Sequence, residues 1–384
     1  MNRIEQLIQH YCPDGVEYVQ IKDIAKCSMG EFVHKSKQDP NAPYPVYNGG
    51  ISNTGYYKDF NSDENKVIVS ARGAGAGFVN LIEQKFWAGN SCHVLSILDA
   101  QITSYKYLFY VLKGYEKELI GSQQKGGIPA VSKTQIETTS IPLPPLPIQE
   151  EIARILDVFT ELQAELQAEL QKRLQQYNYY RDNLLSFEGR DDVKWKKLGE
   201  ICSFMNGKGH EQSIVEYGKY IVVNSKFIST QGCVKKYSDI QISPLFVDDV
   251  LMVMSDLPNG RALAKCFIVD RNNLYTLNQR ICSLTVKNKK ELLAKYLFYI
   301  TNRNRQLLKF DNGVDQTNLK KEDILNIIVP VPSLQEQQSI VDTLDRFDTL
   351  TNDLTAGLPA EIEKRRQQYE YYRDKLLTFK RKEA

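Results

Sequence analysis

A helix-like stretch that occurs twice constrains this chain more than any other feature. The first copy runs from about Pro147 to Phe187 and closes Gln176-Tyr-Asn-Tyr-Tyr-Arg-Asp-Asn-Leu-Leu-Ser-Phe187. The second runs from about Gln335 to Phe379 and closes Gln368-Tyr-Glu-Tyr-Tyr-Arg-Asp-Lys-Leu-Leu-Thr-Phe379. Each follows a proline-rich lead-in, Ile141-Pro-Leu-Pro-Pro-Leu146 in one case and Val329-Pro-Val-Pro-Ser-Leu334 in the other. The lead-ins align at an offset of 188 residues and the closings at 192, so four residues have been added inside the second copy. A repeat of this kind decides architecture ahead of any local motif.

Both copies carry an amphipathic seam. In the first, Leu156, Leu170, Tyr177 and Leu184 keep heptad spacing, flanked by Ile152, Phe159, Leu166, Tyr180 and Phe187. Only Gln163 and Arg173 interrupt the two rows, a pattern that predicts a coiled-coil partner. The second copy keeps Ile340, Leu344, Phe347 and Leu354, then resumes four residues late with Ile362, Tyr369, Tyr372, Leu376 and Phe379. A four-residue stutter unwinds a coiled coil locally. Gly357 and Pro359 lie at the step, and proline there predicts a kink. The first helix should span about 60 Å at ~1.5 Å per residue, more than one globular domain needs. The simplest partner for each seam is the other.

With 384 residues, two or three domains are expected, and 42% hydrophobic with 25% charged residues describes an ordinary water-soluble chain. No apolar run reaches the ~18 residues of a membrane span, and the N-terminal Met1-Asn-Arg-Ile-Glu-Gln-Leu-Ile-Gln-His10 has no signal-peptide core. Seven scattered cysteines without a Cys-x-x-Cys predict reduced thiols and a cytoplasmic protein. Cys92 and Cys282, in strand-like runs, are read as core. The net charge of +2 hides an asymmetry. Residues 147–187 and 333–384 together carry −4, which leaves +6 on the rest of the chain. That excess suits a polyanion without proving one.

Two globular segments lie before the helices. Val16-Glu-Tyr-Val-Gln-Ile-Lys-Asp-Ile24 opens the first, and Val193-Lys-Trp-Lys-Lys-Leu-Gly-Glu-Ile201 opens the second. Shifted by 177, Tyr18 matches Trp195, Ile21 matches Leu198 and Ile24 matches Ile201. Short β-like runs follow: Val67 to Ser70, Cys92 to Ile97, Val250 to Met254 and Ile281 to Val286. Turn signals at Asn48-Gly-Gly, Arg72-Gly-Ala-Gly and Pro258-Asn-Gly separate them. An aromatic, helix-like stretch, Tyr105 to Leu112 or Lys295 to Ile300, closes each segment. The layout is α/β domain, long helix, α/β domain, long helix.

That layout resembles the specificity (S) subunit of type I restriction–modification systems, over nearly the whole chain. The likeness rests on the opening Cys12-Pro-Asp-Gly-Val-Glu-Tyr18, the paired proline lead-ins and the two Tyr-x-Tyr-Tyr-Arg-Asp-x-Leu-Leu endings. Gln163-Ala-Glu-Leu-Gln-Ala-Glu-Leu170 further resembles the spacer repeats of the IC group. The resemblance implies an α/β (α+β) fold of two similar mixed α/β target recognition domains, separated by two long antiparallel helices forming a coiled coil. The boundaries would be 1–146 for the first domain, 147–187 for the central spacer helix, 188–332 for the second domain and 333–384 for the C-terminal spacer helix. It implies binding to double-stranded DNA, two methyltransferase (M) subunits docked on the helices, and restriction (R) subunits joined to these. S-adenosylmethionine, ATP and Mg2+ would be used by those partners, with no cofactor in this chain. Two similar domains joined by matched helices admit an internal pseudo-two-fold axis. Such a chain would meet two half-sites in opposite orientation at a spacing set by the helices. Because the domains have diverged, the site should be asymmetric.

Candidate DNA contacts follow from residue chemistry. In Tyr47-Asn-Gly-Gly-Ile-Ser-Asn-Thr-Gly-Tyr56, Asn48 and Asn53 carry amides that suit adenine edges, although a glycine turn capped by asparagine explains them better. Arg72 sits beside Gly73 and Gly75, where glycine admits close approach to phosphate or guanine. Lys85 and Asn90 flank Trp87, which is read as core. In the second domain Asn278, Gln279 and Arg280 group three base-competent side chains, and Lys208 and Arg261 follow or flank glycines as phosphate ligands. For partner docking the repeated Tyr180, Arg181 and Leu184 pair with Tyr372, Arg373 and Leu376, with a coiled-coil core role for the two tyrosines as the alternative.

Catalytic motifs are missing from the sequence. It has no Asn-Pro-Pro-Tyr or Asn-Pro-Pro-Phe tetrapeptide and no Gly-x-x-x-x-Gly-Lys-Ser/Thr; Gly73-Ala-Gly-Ala-Gly77 lacks the lysine. His10, His34, His93 and His210 form no metal-ligand spacing with the cysteines. Pro13-Asp14 followed by Glu17-Tyr-Val19 lacks the lysine of a nuclease signature. The chain is therefore expected to direct chemistry done by partners. A coiled-coil scaffold, or an enzyme with an unrecognised site, stands as the alternative.

Overall fold

A computed structural model describes residues 3–121, 129–258, 262–352 and 356–383. The chain divides into two compact units, Met1–Glu169 with Ala360–Ala384, and Leu170–Pro359.

In the first unit, β-branched runs such as Lys66–Ser70 supply a four-stranded sheet. Its order is Ala25–Met29, Cys92–Ile97, Lys66–Ser70, Val79–Ile82, antiparallel throughout. A three-stranded sheet places Tyr44–Tyr47 between Gly55–Tyr57 and the short parallel strand Trp87–Ala88. The proline lead-in is itself a strand: Ser140–Leu143 pairs with Glu17–Gln20, with Pro142 opposite Tyr18. Val67, Val69 and Leu95 bury one sheet face against Tyr107, Leu108 and Leu112 of the helix Tyr105–Gly121, and Ile148, Ile152 and Leu156 extend that core.

The second unit repeats the plan. Its four-stranded sheet runs Cys202–Asn206, Ile281–Val286, Val250–Val253, Cys266–Ile268, and its three-stranded sheet runs Tyr237–Ser238, Tyr220–Val223, Tyr275–Leu277. Again the strand before the spacer, Ile328–Val331, pairs with the opening strand Lys194–Lys197. The helix Ala294–Thr301 covers the sheet. Cys92 and Cys282 are both fully buried, as their strand positions required.

Each unit ties its spacer helix down with the same polar anchors. Gln149 is fully buried; its Oε1 accepts from the Ser104 amide at 3.0 Å, and its Nε2 donates to the Ile102 and Pro144 carbonyls at 2.9 and 2.7 Å. Gln337, 188 residues on, accepts from the Leu293 amide at 2.9 Å and donates to the Glu291 and Pro332 carbonyls at 2.8 and 2.9 Å. The hydroxyls of Tyr107 and Tyr296 donate to the carbonyls of Pro142 and Pro330. Asp157 accepts from Tyr110 and Lys106, and Asp345 accepts from Tyr299 and Lys295.

The first spacer is one continuous 39-residue helix, Leu146–Leu184. The second departs from the single kinked helix expected across 333–384, because it is two helices, Leu334–Asn352 and Leu358–Leu376. Pro359 is the second residue of the later helix, where the amide that proline lacks has no intrahelical acceptor to lose. The seam residue Leu354 lies outside the described residues. Within the first unit the two spacer segments run antiparallel: Phe159 stacks on Tyr372 at 5.4 Å, and Gln163, expected as an interruption, donates to the Arg365 carbonyl at 3.3 Å. Within the second, Tyr180 stacks on Phe347 at 5.2 Å. These stacks are copies of one contact, since Phe347 repeats Phe159 and Tyr372 repeats Tyr180.

Burial pushes Tyr177 and its repeat Tyr369 up to about 12, and the thiols of Cys92 and Cys202 likewise up to about 12, desolvation leading in all four. Unfolded thiols and tyrosines ionise near 8.5 and near 10. The folded values lie higher, so the stability these groups contribute is complete below about pH 8.5 and is lost as pH rises toward 12. We expect the urea midpoint to fall from about pH 9 upward, and more steeply above pH 10. Tyrosine absorbance at 295 nm should show a late-titrating class in the folded chain; full titration near pH 10 without unfolding would contradict this.

Candidate nucleic-acid interface

Several loops of the first unit meet through backbone hydrogen bonds. Gly30 N–H donates to the Cys92 carbonyl at 3.2 Å, Glu31 N–H to Ala88 at 2.8 Å, Gly89 N–H to Tyr47 at 2.8 Å, and Ala71 N–H to Ser91 at 2.8 Å. Val131 N–H closes the cluster on the Ala71 carbonyl at 2.9 Å. The second unit makes the same bonds: Gly207 to Ile281 at 3.0 Å, Lys208 to Leu277 at 3.2 Å, Asn278 to Val223 at 3.2 Å, Met254 to Arg280 at 2.8 Å and Leu319 to Met254 at 2.8 Å. The first glycine of each set is required by contact. A Cβ would sit 2.2 Å from the Ala88 carbonyl oxygen at Gly30, and 1.9 Å from that of Asn278 at Gly207.

This shared framework aligns the loops residue by residue. Glu31 corresponds to Lys208, Asn48 to Asn224, Arg72 to Ser255, Asn90 to Gln279 and Ser91 to Arg280. Glu31, Lys208, Asn90, Gln279 and Arg280 are all exposed. Neighbouring loops thus present side chains of different chemistry from one rigid frame, the arrangement a base-reading surface needs.

The sequence candidates divide on it. Asn48 spends its amide on the loop, donating to Thr54 Oγ1 at 2.9 Å, and its counterpart Asn224 caps the helix Ser225–Ser229. Asn53 is half-buried in the same turn as Asn48. Arg72 is exposed while its backbone bridges to Ala130. Lys85 is engaged over the Phe60 ring, its Nζ 4.3 Å from the centroid. Trp87 is not core: it is half-buried, donates Nε1–H to the Glu31 carbonyl at 2.7 Å and meets Tyr57 edge-on at 5.0 Å. Asn278 turns inward, its buried Oδ1 without a hydrogen-bond partner. Gln279 donates to Glu211 Oε1 at 2.5 Å. Arg280 is exposed on a left-handed backbone (φ 67°), a conformation held by the Met254 bond to its carbonyl. Arg261 lies outside the described residues.

Two of the four histidines, His93 and His210, are structural. His210 is buried, with Nδ1 2.8 Å from the Lys208 carbonyl and Nε2 2.9 Å from Thr276 Oγ1. His93 is held below its usual pKa by burial, its Nε2 3.0 Å from the Val131 carbonyl. Among the described residues no three His, Cys, Asp or Glu side chains form a metal site, and no helix is long and apolar enough to cross a membrane.

The docking candidates are partly committed inward. Leu184 and Leu376 pack against the two cores. The side chain of Arg373 is 11% exposed and that of Arg181 is 24% exposed, lying over Tyr369 and Tyr177 and pairing with Asp374 and Asp182. Tyr180 and Tyr372 stack within the helix pairs yet stay partly exposed. Their neighbours Tyr179 and Tyr371 are freer, at 65% and 61% exposure. Sequence reading passed over them, although both stand in the repeated closing motif. Glu31 and Glu211, neither of them a sequence candidate, also stand in or beside the loop cluster. The 177-residue shift that matches Tyr18 with Trp195 also carries Glu31 onto Lys208.

A twice-built α/β unit with a converging loop cluster, carried on spacer helices, defines a duplicated recognition protein. The model of the type I restriction modification DNA specificity domain matches twice, at residues 13–176 and 190–364, and the chain belongs to that family. It is 35% identical to the type I restriction enzyme EcoR124I/EcoR124II specificity subunit of Escherichia coli, over 74% of each chain. It is 29% identical to a putative type I restriction enzyme specificity subunit of Haemophilus influenzae over 90% of each. Its fold matches a solved type I restriction–modification S subunit from M. genitalium with a TM-score of 0.62 at 20% identity, covering 94% of this chain and 96% of that one.

Proposed function

We propose that this chain is the non-catalytic specificity subunit of a type I restriction–modification complex, IC-like in its Gln-Ala-Glu-Leu spacer. Each unit reads one half of an asymmetric bipartite DNA site. The observation that carries this is the pair of loop clusters tied by matching backbone hydrogen bonds, with different exposed side chains at corresponding positions. Equal frames with unequal residues suit two different half-sites. The spacer helices set the distance between half-sites and dock two methyltransferase subunits, to which restriction subunits join; Tyr179 and Tyr371 are the freest repeated side chains for that docking. S-adenosylmethionine, ATP and Mg2+ serve those partners in the cytoplasm.

Two substitutions in the second unit test the reading with the methyltransferase-bound complex. Lys208→Ala should lower the slope of log K against log salt by about one and leave the methylated motif unchanged, as loss of a phosphate contact does. Arg280→Ala should cost ~1–3 kcal/mol of affinity and relax one position of one half-site, as loss of a guanine contact does. Anisotropy titrations over a salt series and genome-wide N6-methyladenine mapping read the two effects. Unchanged affinity, salt slope and motif in both variants would remove these residues from the interface.

A further inference from the structure

We infer that Glu31 is a specificity-determining residue of the first unit, accepting a hydrogen bond from a cytosine amino group in its half-site. The inference rests on the DNA-reading role above and extends it to a position of opposite charge. Glu31 occupies the backbone position that Lys208 holds in the second unit: both donate their N–H to the residue ending the short parallel strand, Ala88 or Leu277. Both follow the glycine pressed against that loop. If this position lies at DNA in one unit, the shared frame brings it to DNA in the other, where the longer Lys208 side chain can turn to a groove-flanking phosphate and the carboxylate of Glu31 only to a base edge.

The backbone of Glu31 is fixed on both sides. Its N–H is bound at 2.8 Å and its carbonyl accepts Trp87 Nε1–H at 2.7 Å, while Trp87 is itself braced by Tyr57. The side chain is exposed and makes no ion pair among the described residues. A rigid mount with a free tip is what base reading needs and what a mere solubilising residue does not.

Chemistry then narrows the partner. A carboxylate is repelled by phosphate, so it cannot serve as a backbone contact. On a major-groove edge it needs a donor without an acceptor beside it. Cytosine N4 meets that condition, whereas the N7 lone pair beside adenine N6 would face the second carboxylate oxygen, and guanine offers only acceptors. The exposed Lys35 and Lys37, just beyond Glu31, supply positive charge for flanking phosphates.

The test uses the full chain coexpressed with its methyltransferase, followed by methylome mapping. The wild-type first half-site should contain an obligatory C·G pair. Glu31→Ala should methylate sites with other bases at that one position, losing discrimination about tenfold or more. The second half-site and the unfolding midpoint of the complex should not change. Glu31→Gln, which keeps size and adds a donor, guards against a folding defect and should shift the preference at the same position toward adenine. An unchanged motif in both variants, relaxation at a position other than C·G, or uniform loss across all sites would overturn the assignment. A wild-type complex with no bipartite motif would overturn the DNA-reading role itself, and this assignment with it.

Discussion

Gln337→Leu is expected to destabilise the second unit by about 3–5 kcal/mol, among the largest single-residue effects this chain can show. The side chain is fully buried and satisfies three backbone groups at once: the Leu293 amide and the carbonyls of Glu291 and Pro332. Leucine fills similar space but offers neither donor nor acceptor. Each backbone group left buried without a partner costs ~1–3 kcal/mol, with partial relief where the chain relaxes. These groups belong to the turn before the helix Ala294–Thr301 and to the proline lead-in, so the loss falls where the spacer leaves the domain. Gln149→Leu should do the same in the first unit, where Thr103 Oγ1 also donates to Gln149 Oε1 at 3.1 Å. The chain has two tryptophans, Trp87 in one unit and Trp195 in the other, so fluorescence during denaturant unfolding can assign each loss. A shift below 1 kcal/mol in both variants would show that water replaces the glutamine amide.

The second large effect is a change of target. Replacing residues 14–146 with the corresponding segment of another family member should exchange one half of the methylated motif and leave the other intact. The two units have separate cores, one around Val67, Leu95 and Tyr107 and the other around Val250, Leu284 and Tyr296. Within each unit, Tyr107–Pro142 and Tyr296–Pro330 join the recognition domain to its own lead-in. The graft must therefore keep the acceptors around Gln149, or the first anchor fails and the experiment measures folding instead of recognition. Methylome mapping of the hybrid decides it. A motif altered in both halves would mean that the units read DNA jointly.

Much of the architecture was legible because it is periodic or repeated. Heptad spacing marked Ile152, Leu156 and Tyr177 as inward-facing, and they are buried, though in the cores of the two units. The broken second spacer was half-legible: Gly357 and Pro359 located the step, yet composition alone could not separate a kink from an interruption. The candidate site was less legible. Asn48 has the right amide for adenine, but a hydroxyl six residues away takes it. Trp87 looked like core, but an alternating strand pattern does not show that its ring edge meets Tyr57 and its indole N–H meets Glu31.

By itself the sequence determined the duplication, the order of domain and spacer, and the β-rich runs. Those follow from spacing along the chain, which burial of apolar surface obeys whatever the partner. Heptad register placed Tyr180 and not Tyr179 in the seam, but only the tertiary structure decided which ring it meets. Successive helical residues are turned by about 100°, so Tyr180 stacks on Phe347 while Tyr179 stands in solvent. The 177-residue offset already carries Glu31 onto Lys208, but only the tertiary structure set both at the same place in a loop cluster. That placement rests on hydrogen bonds between residues 57 or more apart in sequence, Glu31 to Ala88 and Lys208 to Leu277. Such contacts leave no period in the sequence, because their partners are chosen by the packing of sheets and not by the neighbours along the chain.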